Sequence, residues 1–294
     1  MLRLRVPATI ANLGPGYDVL GMAVGLHNGF NFDRAERWTV HGTEHDPEEH
    51  LTLLTARRAA EHFGGQCPPI SVSQLEEVPR ARGLGSSATA RVAGLEAGLH
   101  YAGLQVSLQD KLDFLTEQEG HPDNVVPAFV GGLTICARVQ DTWQHVRLDP
   151  PRIQVALCVP QHEVSTREAR RRMPEALPLA DYVHNASALA FLMAGLINGD
   201  LDLWRHGLSD RVHTPHRTPL IGPVDAAFSE ARAAGALGAV VSGSGSTLAA
   251  MVPPGVSAHK VAEAMAHGLR GIPCSLYVKA PETQGCTVLA ADLD

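Results

Sequence analysis

Apolar positions in this chain fall into short alternating runs and longer runs spaced by three and four, which predicts a mixture of strands and helices. Leu2–Val6 alternates like a strand, Phe30–His41 reads as a strand region, and Leu51–Phe63 reads as a helix stopped by Gly64-Gly65. Ile70–Ser73 is a short strand candidate. Ala88, Val92, Leu95, Leu99 and Ala102 then recur at helical spacing, giving a helix with one apolar face that Gly103 ends. Ser107-Leu108-Gln109-Asp110 opens the next helix as a capping-box variant. Leu108, Leu112 and Leu115 line it, Glu117 stands in its last turn and Gly120 stops it. The composition shifts at Asp149-Pro150-Pro151, which predicts a boundary between a unit over 1–150 and another over 151–294.

Beyond that boundary, Ile153–Val159 reads as a buried strand, and a helix opens at Ser165 or Thr166. Further helices are expected over Tyr182–Asn198, Leu201–Leu208 and Val224–Ala234. Ala236–Val241 and Leu248–Val252 read as strands, followed by a helix over Ala258–Leu269 and a strand over Cys274–Val278. This order suits an α+β architecture with helices on one sheet face, and no tandem repeat interrupts it.

Composition narrows the classes. The 294 residues are 45% hydrophobic, with mean hydropathy of -0.03, enough apolar material for substantial cores in a soluble protein. A formal charge of -7 argues against nucleic acid or an anionic membrane as partner. Met1–Pro7 has neither the apolar core of a signal peptide nor the length of a membrane span. Cys67, Cys136, Cys158, Cys274 and Cys286 are dispersed without a CxxC spacing, the usage of a reducing cytoplasm. His41, His45 and His50 form at most a weak metal cluster, and a solvated loop accounts for them equally well.

The candidate chemistry sits on glycine-rich turns. Arg80-Ala81-Arg82-Gly83-Leu84-Gly85-Ser86-Ser87 runs directly into the Ala88 helix, whose first N–H groups lack intrahelical partners and point the positive end of the dipole outward. Glycine lets a phosphate approach such a backbone, and serine hydroxyls add donors or a magnesium ligand. The GKS or GKT ending of a Walker A loop is absent, and taken alone the stretch could equally be a capped structural helix. Asn12 and Asp18 flank the Gly14-Pro15-Gly16 loop, where polar side chains are commonly turn-formers. Glu117, Glu119, His121, Asp123 and Asn124 make a dense acid, base and metal-capable cluster; a polar helix end is the alternative. Gly243 and Gly245 lie between two strands, where they permit either close backbone approach to a ligand or a tight hairpin.

Taken together, PATIANLGPGYDVLG, PRARGLGSSATA and GAVVSGSGSTLAA resemble the three motifs of the GHMP kinase superfamily. EGHPDNVVPAFVGGLT, STREAR and SDRVHTPHR are similar to segments of its homoserine kinase branch, so the resemblance runs from Arg5 to about Ala250. Ile10, Tyr17 and Ser246 depart from the usual serine, phenylalanine and proline of those motifs.

The resemblance implies a two-domain α+β GHMP kinase fold, ribosomal-protein-S5-like at the N-terminus and ferredoxin-like at the C-terminus. It implies phosphoryl transfer from ATP to L-homoserine in threonine biosynthesis, in a cytoplasmic homodimer. A mevalonate-type kinase or a silent amino-acid or nucleotide sensor on the same fold are the alternatives. Carried over by motif position, Arg80, Arg82, Gly83, Leu84, Gly85, Ser86 and Ser87 are expected to bind the ATP phosphates. Ser87 and Glu117 are expected to hold Mg²⁺, with Glu119 the other carboxylate considered. Asn12, Asp18, His121, Asn124, Thr166, Arg170, Arg217 and Gly243 would form the homoserine pocket. Asn12 and Asn124 would orient the attacking hydroxyl, and Asp123 is the candidate base if the reaction uses one. Arginine suits the carboxylate of an amino acid because its planar fork bonds bidentately.

Overall fold

Leu2, Leu4, Val6, Ala8 and Ile10 share one parity, and the run that carries them is the strand β1 (Leu2–Ala11). It pairs antiparallel with β2 (Leu20–Arg34), a 15-residue strand that begins ten residues before the sequence pattern places a strand. The computed structural model describes residues 1–42 and 46–291; of the three histidines considered for a metal, His45 lies outside that range. β3 (Thr39–His41), α1 (Leu51–His62) and β4 (Ile70–Glu76) follow, and then α2 (Ser86–Ala102). α2 is buried on nearly every side rather than along one face, because α1 and α4 pack beside it over the sheet. α3 (Leu108–Glu119) is capped by Ser107 Oγ, which accepts from the Asp110 N–H, and α4 (Pro122–Val130) starts with proline in its first turn. On α3, Leu112 and Leu115 are buried as expected, whereas Leu108 is exposed at the first turn. β5 (Leu133–Val139) and β6 (Thr142–Leu148) form a hairpin.

β2 organises the first sheet. Its C-terminal half pairs β4 and its first residues pair β5, while β1 runs along its other edge. The second sheet opens with β7 (Gln154–Pro160). Then come α5 (Thr166–Arg171), α6 (Leu179–Asn198), α7 (Leu201–Gly207), α8 (Thr214–Ile221) and α9 (Val224–Ala233). β8 (Gly238–Val241), β9 (Leu248–Val252), α10 (Ala258–Gly268) and β10 (Cys274–Lys279) complete it in the order β10-β7-β9-β8, all antiparallel. The final strand, β11 (Thr287–Ala291), leaves this sheet and pairs with β1 in the first.

Strand alternation divides the interior into three cores. Leu2, Leu4, Val6, Phe30 and Phe32 pack under α1, α2 and α4. Ile10, Leu20 and Met22 meet the other face of the ribbon's far end, against Val155, Leu157 and Val159 of β7 and Met251 of β9. The intervening residues, Ala156, Cys158 and Ala250, face α9 and α10 in the third core. The middle core therefore fastens the two sheets together, and the functional loops gather at its rim.

Candidate active site

Two glycine turns meet at this rim. Gly83 has φ +74°, and a Cβ there would stand 2.1 Å from the Ser242 carbonyl oxygen. Gly85, at φ +70°, passes so close to Thr9 that a Cβ would meet its Oγ1 at 2.1 Å. No side chain fits either place, and the left-handed conformation is itself costly for other residues. Ser242 Oγ donates to the Gly83 carbonyl at 2.6 Å, and the Thr247 N–H donates to the Arg82 carbonyl at 3.1 Å. The backbone that the turn at 243–245 approaches is thus the loop at 82–85. That loop ends at Gly85, the N-cap of α2, and leaves the first amides of the helix facing a cavity of about 280 Å³.

The opposite wall comes from the segment after β1. Asn12, Leu13 and Asp18 all have positive φ, an arrangement strained for non-glycine residues and stabilised here by specific bonds. Asn12 Oδ1 accepts from the Asp18 N–H at 3.1 Å, and its Nδ2 donates to the Gly243 carbonyl at 3.3 Å. Asp18 receives a bidentate bond from Arg170 of α5 at 2.8 and 2.9 Å. Burial works against the charged form of Arg170, but the hydrogen bonds and charge of Asp18 outweigh it and raise its pKa.

The first turn of α4 supplies the floor. His121 Nδ1 lies 2.5 Å from Asp123 Oδ1, and Asn124 Oδ1 accepts from Thr9 Oγ1 at 2.7 Å, leaving the Asn124 amide N–H₂ for a ligand. Burial favours neutral His121, yet the hydrogen bond and charge of Asp123, with Glu119 behind them, raise its pKa above the ordinary value. Asp18, His121 and Asp123 bring ligand atoms within 4.8 Å of one another, the one such trio among the described residues. The Asp18 carboxylate is already committed to Arg170.

Arg217 is the unusual member. It projects from α8, is 3% exposed, and donates Nη1 to the Gly243 carbonyl. Its guanidinium lies over the Tyr17 ring at 5.1 Å, its Nε has no hydrogen-bond partner, and it forms no ion pair among the described residues. Burial accordingly draws its pKa below the ordinary arginine value. A buried cation without a counter-ion is costly unless an anion arrives.

The comparisons with known proteins agree with one another. Residues 50–132 match the GHMP kinases N terminal domain, and residues 192–270 match the GHMP kinases C terminal family. The homoserine kinase of Deinococcus radiodurans is 41% identical over 252 residues, 83% of this chain and 82% of its own. That of Moorella thermoacetica is 36% identical over 293 residues, 97% and 99% of the two chains. The chain belongs to the homoserine kinase family. The crystal structure of homoserine kinase from Cytophaga hutchinsonii superposes with a TM-score of 0.86 at 30% identity, covering 98% of this chain and 97% of that one.

In this homoserine kinase family member, the cavity is lined by Arg82, Gly83, Leu84, Gly85, Ser86, Ser87, Asn12, Asp18, His121, Asp123, Asn124, Thr166, Arg170, Arg217 and Gly243, all expected from sequence. Two expected residues stand elsewhere. Glu117 is exposed on α3 and lines no cavity described, so it does not face the serines. Glu119 takes that place: its carboxylate accepts from Ser87 Oγ at 2.8 Å and from Arg91 Nε at 2.5 Å. Arg80 pairs with Glu76 and lies on the wall of a second cavity, of about 380 Å³, across the loop. This cavity adds Gln74, His50, Leu51, Thr52 and Ala90 to Ser86 and Ser87. The Arg82 side chain is largely occupied, with Nε donating to the Pro160 carbonyl at 3.0 Å and Nη1 3.3 Å from Glu163.

The residues beyond the expected set are Ala81 and Ser244, on the cavity wall, and the support under Arg217. Asp210 accepts from the N–H groups of Val212 at 2.9 Å, His213 at 3.1 Å and Thr214 at 2.6 Å, and from Asn185 Nδ2 at 2.7 Å. His213 Nε2 donates to the Gly14 carbonyl at 2.8 Å, linking α8 to the loop before Asp18. An aspartate shortly before a proline-initiated helix was the available sequence signal for this cap.

Proposed function

We propose that this protein transfers the γ-phosphoryl group of ATP to the hydroxyl of L-homoserine, forming O-phospho-L-homoserine for threonine synthesis, ADP and a proton. The observation that carries the substrate reading is Arg217, a buried guanidinium with no ion-pair partner among the described residues, sharing one cavity with a phosphate-type glycine loop. A substrate carboxylate would supply the missing counter-ion. The Asp18–Arg170 pair extends the match. An α-amino acid laid antiparallel to that pair sets its ammonium against Asp18 and its carboxylate toward Arg170 and Arg217. Mevalonate has the carboxylate but no ammonium to pair with Asp18.

The mechanism follows from positioning and charge rather than from covalent help. The amides of 83–87 at the α2 N-terminus stabilise phosphate oxygens, and the adjoining second cavity accommodates the nucleoside. The free amide group of Asn124 and the side chain of Asn12 orient the substrate hydroxyl. Asp123 stands buried beside them, with one carboxylate oxygen engaged by His121, and the other is the candidate acceptor for the hydroxyl proton. Ser87 and Glu119 supply one hydroxyl and one carboxylate at the mouth of the phosphate loop, a donor set that fits Mg²⁺. A magnesium ion there would neutralise phosphate charge. We read the protein as cytoplasmic, and among its described residues no helix is long and apolar enough to cross a membrane.

ADP release, measured with ATP and Mg²⁺ and with L-homoserine, mevalonate or galactose supplied singly, tests the reading. Release that depends on homoserine and stops with EDTA is expected. Release with mevalonate and none with homoserine would discard the amino-acid pocket while keeping the phosphate site.

A further inference from the structure

Tyr17 stands where the first glycine motif usually has phenylalanine, and its extra hydroxyl is engaged: it accepts from Arg170 Nη1 at 3.1 Å. The ring that carries it touches both arginines of the cavity. The Arg217 guanidinium lies 5.1 Å from the ring centroid and the Arg170 guanidinium 5.7 Å, within cation–π range. His213 packs against the same ring at 5.5 Å and is itself tied to the Gly14 carbonyl. Burial and then the charge of Asp18 raise the pKa of Tyr17, so the phenol stays neutral. One neutral ring is therefore shared by two cations that repel each other. Burial first, and the charge of Arg170 with it, lower the pKa of Arg217. Tyr17 is not among the residues that line the cavity, whereas both arginines are.

The hydroxyl decides how Arg170 is turned. The donors of a guanidinium lie in one plane and point in fixed directions. The Asp18 carboxylate takes the pair at the tip, one proton from Nη1 at 2.9 Å and one from Nη2 at 2.8 Å. Nη1 has one further proton, on the side of Cδ, and Tyr17 accepts it. Nε–H and the outer Nη2–H remain. They run parallel along the other edge and bond to no other described residue. A parallel pair of donors is the shape that a carboxylate matches. We infer that Tyr17 is the positioning residue of the substrate-carboxylate clamp: its hydroxyl fixes the Arg170 plane so that the Nε/Nη2 edge meets the carboxylate, and its ring seats Arg217 beside it. This rests on the amino-acid reading of the substrate given above. Phenylalanine at this position keeps the seat of Arg217 and releases Arg170, so the two roles are separable.

ADP release at saturating ATP and Mg²⁺ is measured with L-homoserine and with L-homoserinol, in which a CH₂OH group replaces the carboxylate. Tyr17→Phe is expected to raise the homoserine KM at least five-fold, with kcat within two-fold and with ATP KM and melting temperature unchanged. Its kcat/KM for homoserinol is expected to match wild type, so the preference for homoserine over homoserinol falls by the same five-fold. Tyr17→Leu, which also removes the seat of Arg217, is expected to raise the homoserine KM at least five-fold more. An unchanged homoserine KM in Tyr17→Phe overturns the proposal. So does an equal loss with both substrates, which would make Tyr17 a purely structural residue. Wild-type protein that shows no homoserine-dependent release overturns the substrate reading itself and the clamp with it, and that failure is recognised because it precedes any variant.

Discussion

At the scale of single residues, α3 shows what a helix period decides. Leu112, Leu115, Thr116 and Glu119 lie on one stripe, at intervals of three, one and three, whereas Glu117 is turned about 200° from Glu119. The expected apolar line through Leu112 and Leu115 already leads to Glu119, so the carboxylate that meets Ser87 was legible. Glu119→Gln is expected to lower kcat about 100-fold with a small change in melting temperature, whereas Glu117→Gln should stay within about two-fold of wild type. Equal losses in ADP release from the two variants would remove Glu119 from the metal site. Arg217 gives a different test, since it trades stability for binding. Arg217→Met keeps the volume and removes an uncompensated buried charge. The variant is expected to melt no lower than wild type while its homoserine KM rises at least 30-fold, about 2 kcal/mol. A lower melting temperature with unchanged KM would make Arg217 a structural cation.

At the scale of elements, the sequence pattern carried the long helices and most of the strands, because their apolar spacing is regular. It missed α4 and α8, which carry Asp123, Asn124 and Arg217. Each is short and contains prolines, Pro122 and Pro127 in α4 and Pro215 and Pro219 in α8, which read as breakers. Tertiary packing overrides them. The Asp123 carbonyl, which Pro127 has no N–H to satisfy, lies against Gly21 of β2, where a Cβ would be 2.0 Å away. α8 depends instead on Asp210. Burial alone would raise the pKa of Asp210, but the charge of His213 and the bonds from Asn185, Thr214 and Val212 lower it below the ordinary value of 3.8. A depressed folded pKa means stability that is fully present above the unfolded value and lost as pH falls through the folded one. Asp210→Asn is expected to flatten melting temperature against pH below about 4 and to lower it at neutral pH. With α8 less well anchored, homoserine KM should rise and ATP KM should not. A wild-type acid limb in the variant would place that loss of stability on another carboxylate.

At the scale of the whole molecule, the two glycine motifs explain why the site lies between the sheets and why pattern reading could not join them. Gly83 and Ser242 are 159 positions apart, and nothing local to either predicts the 2.6 Å bond between them. The return of β11 to β1 escaped for the same reason: strand pairing is a property of the folded chain, and five residues of TVLAA carry no partner information. The bond from Ser242 has a function if the second turn positions the first. Ser242→Ala leaves the Gly83 carbonyl without that donor, in a place too crowded for a substitute, since a Cβ on Gly83 already has no room. The expected cost is about 1–2 kcal/mol, or roughly 2–4 °C in melting temperature. If the turn positions the phosphate loop, ATP KM rises several-fold while homoserine KM, read at saturating ATP, stays near wild type. A fall in melting temperature with both KM values unchanged would confine Ser242 to holding the sheets together. A rise in homoserine KM alone would instead assign its effect to Gly243, whose carbonyl accepts from Asn12 and Arg217 on the substrate side.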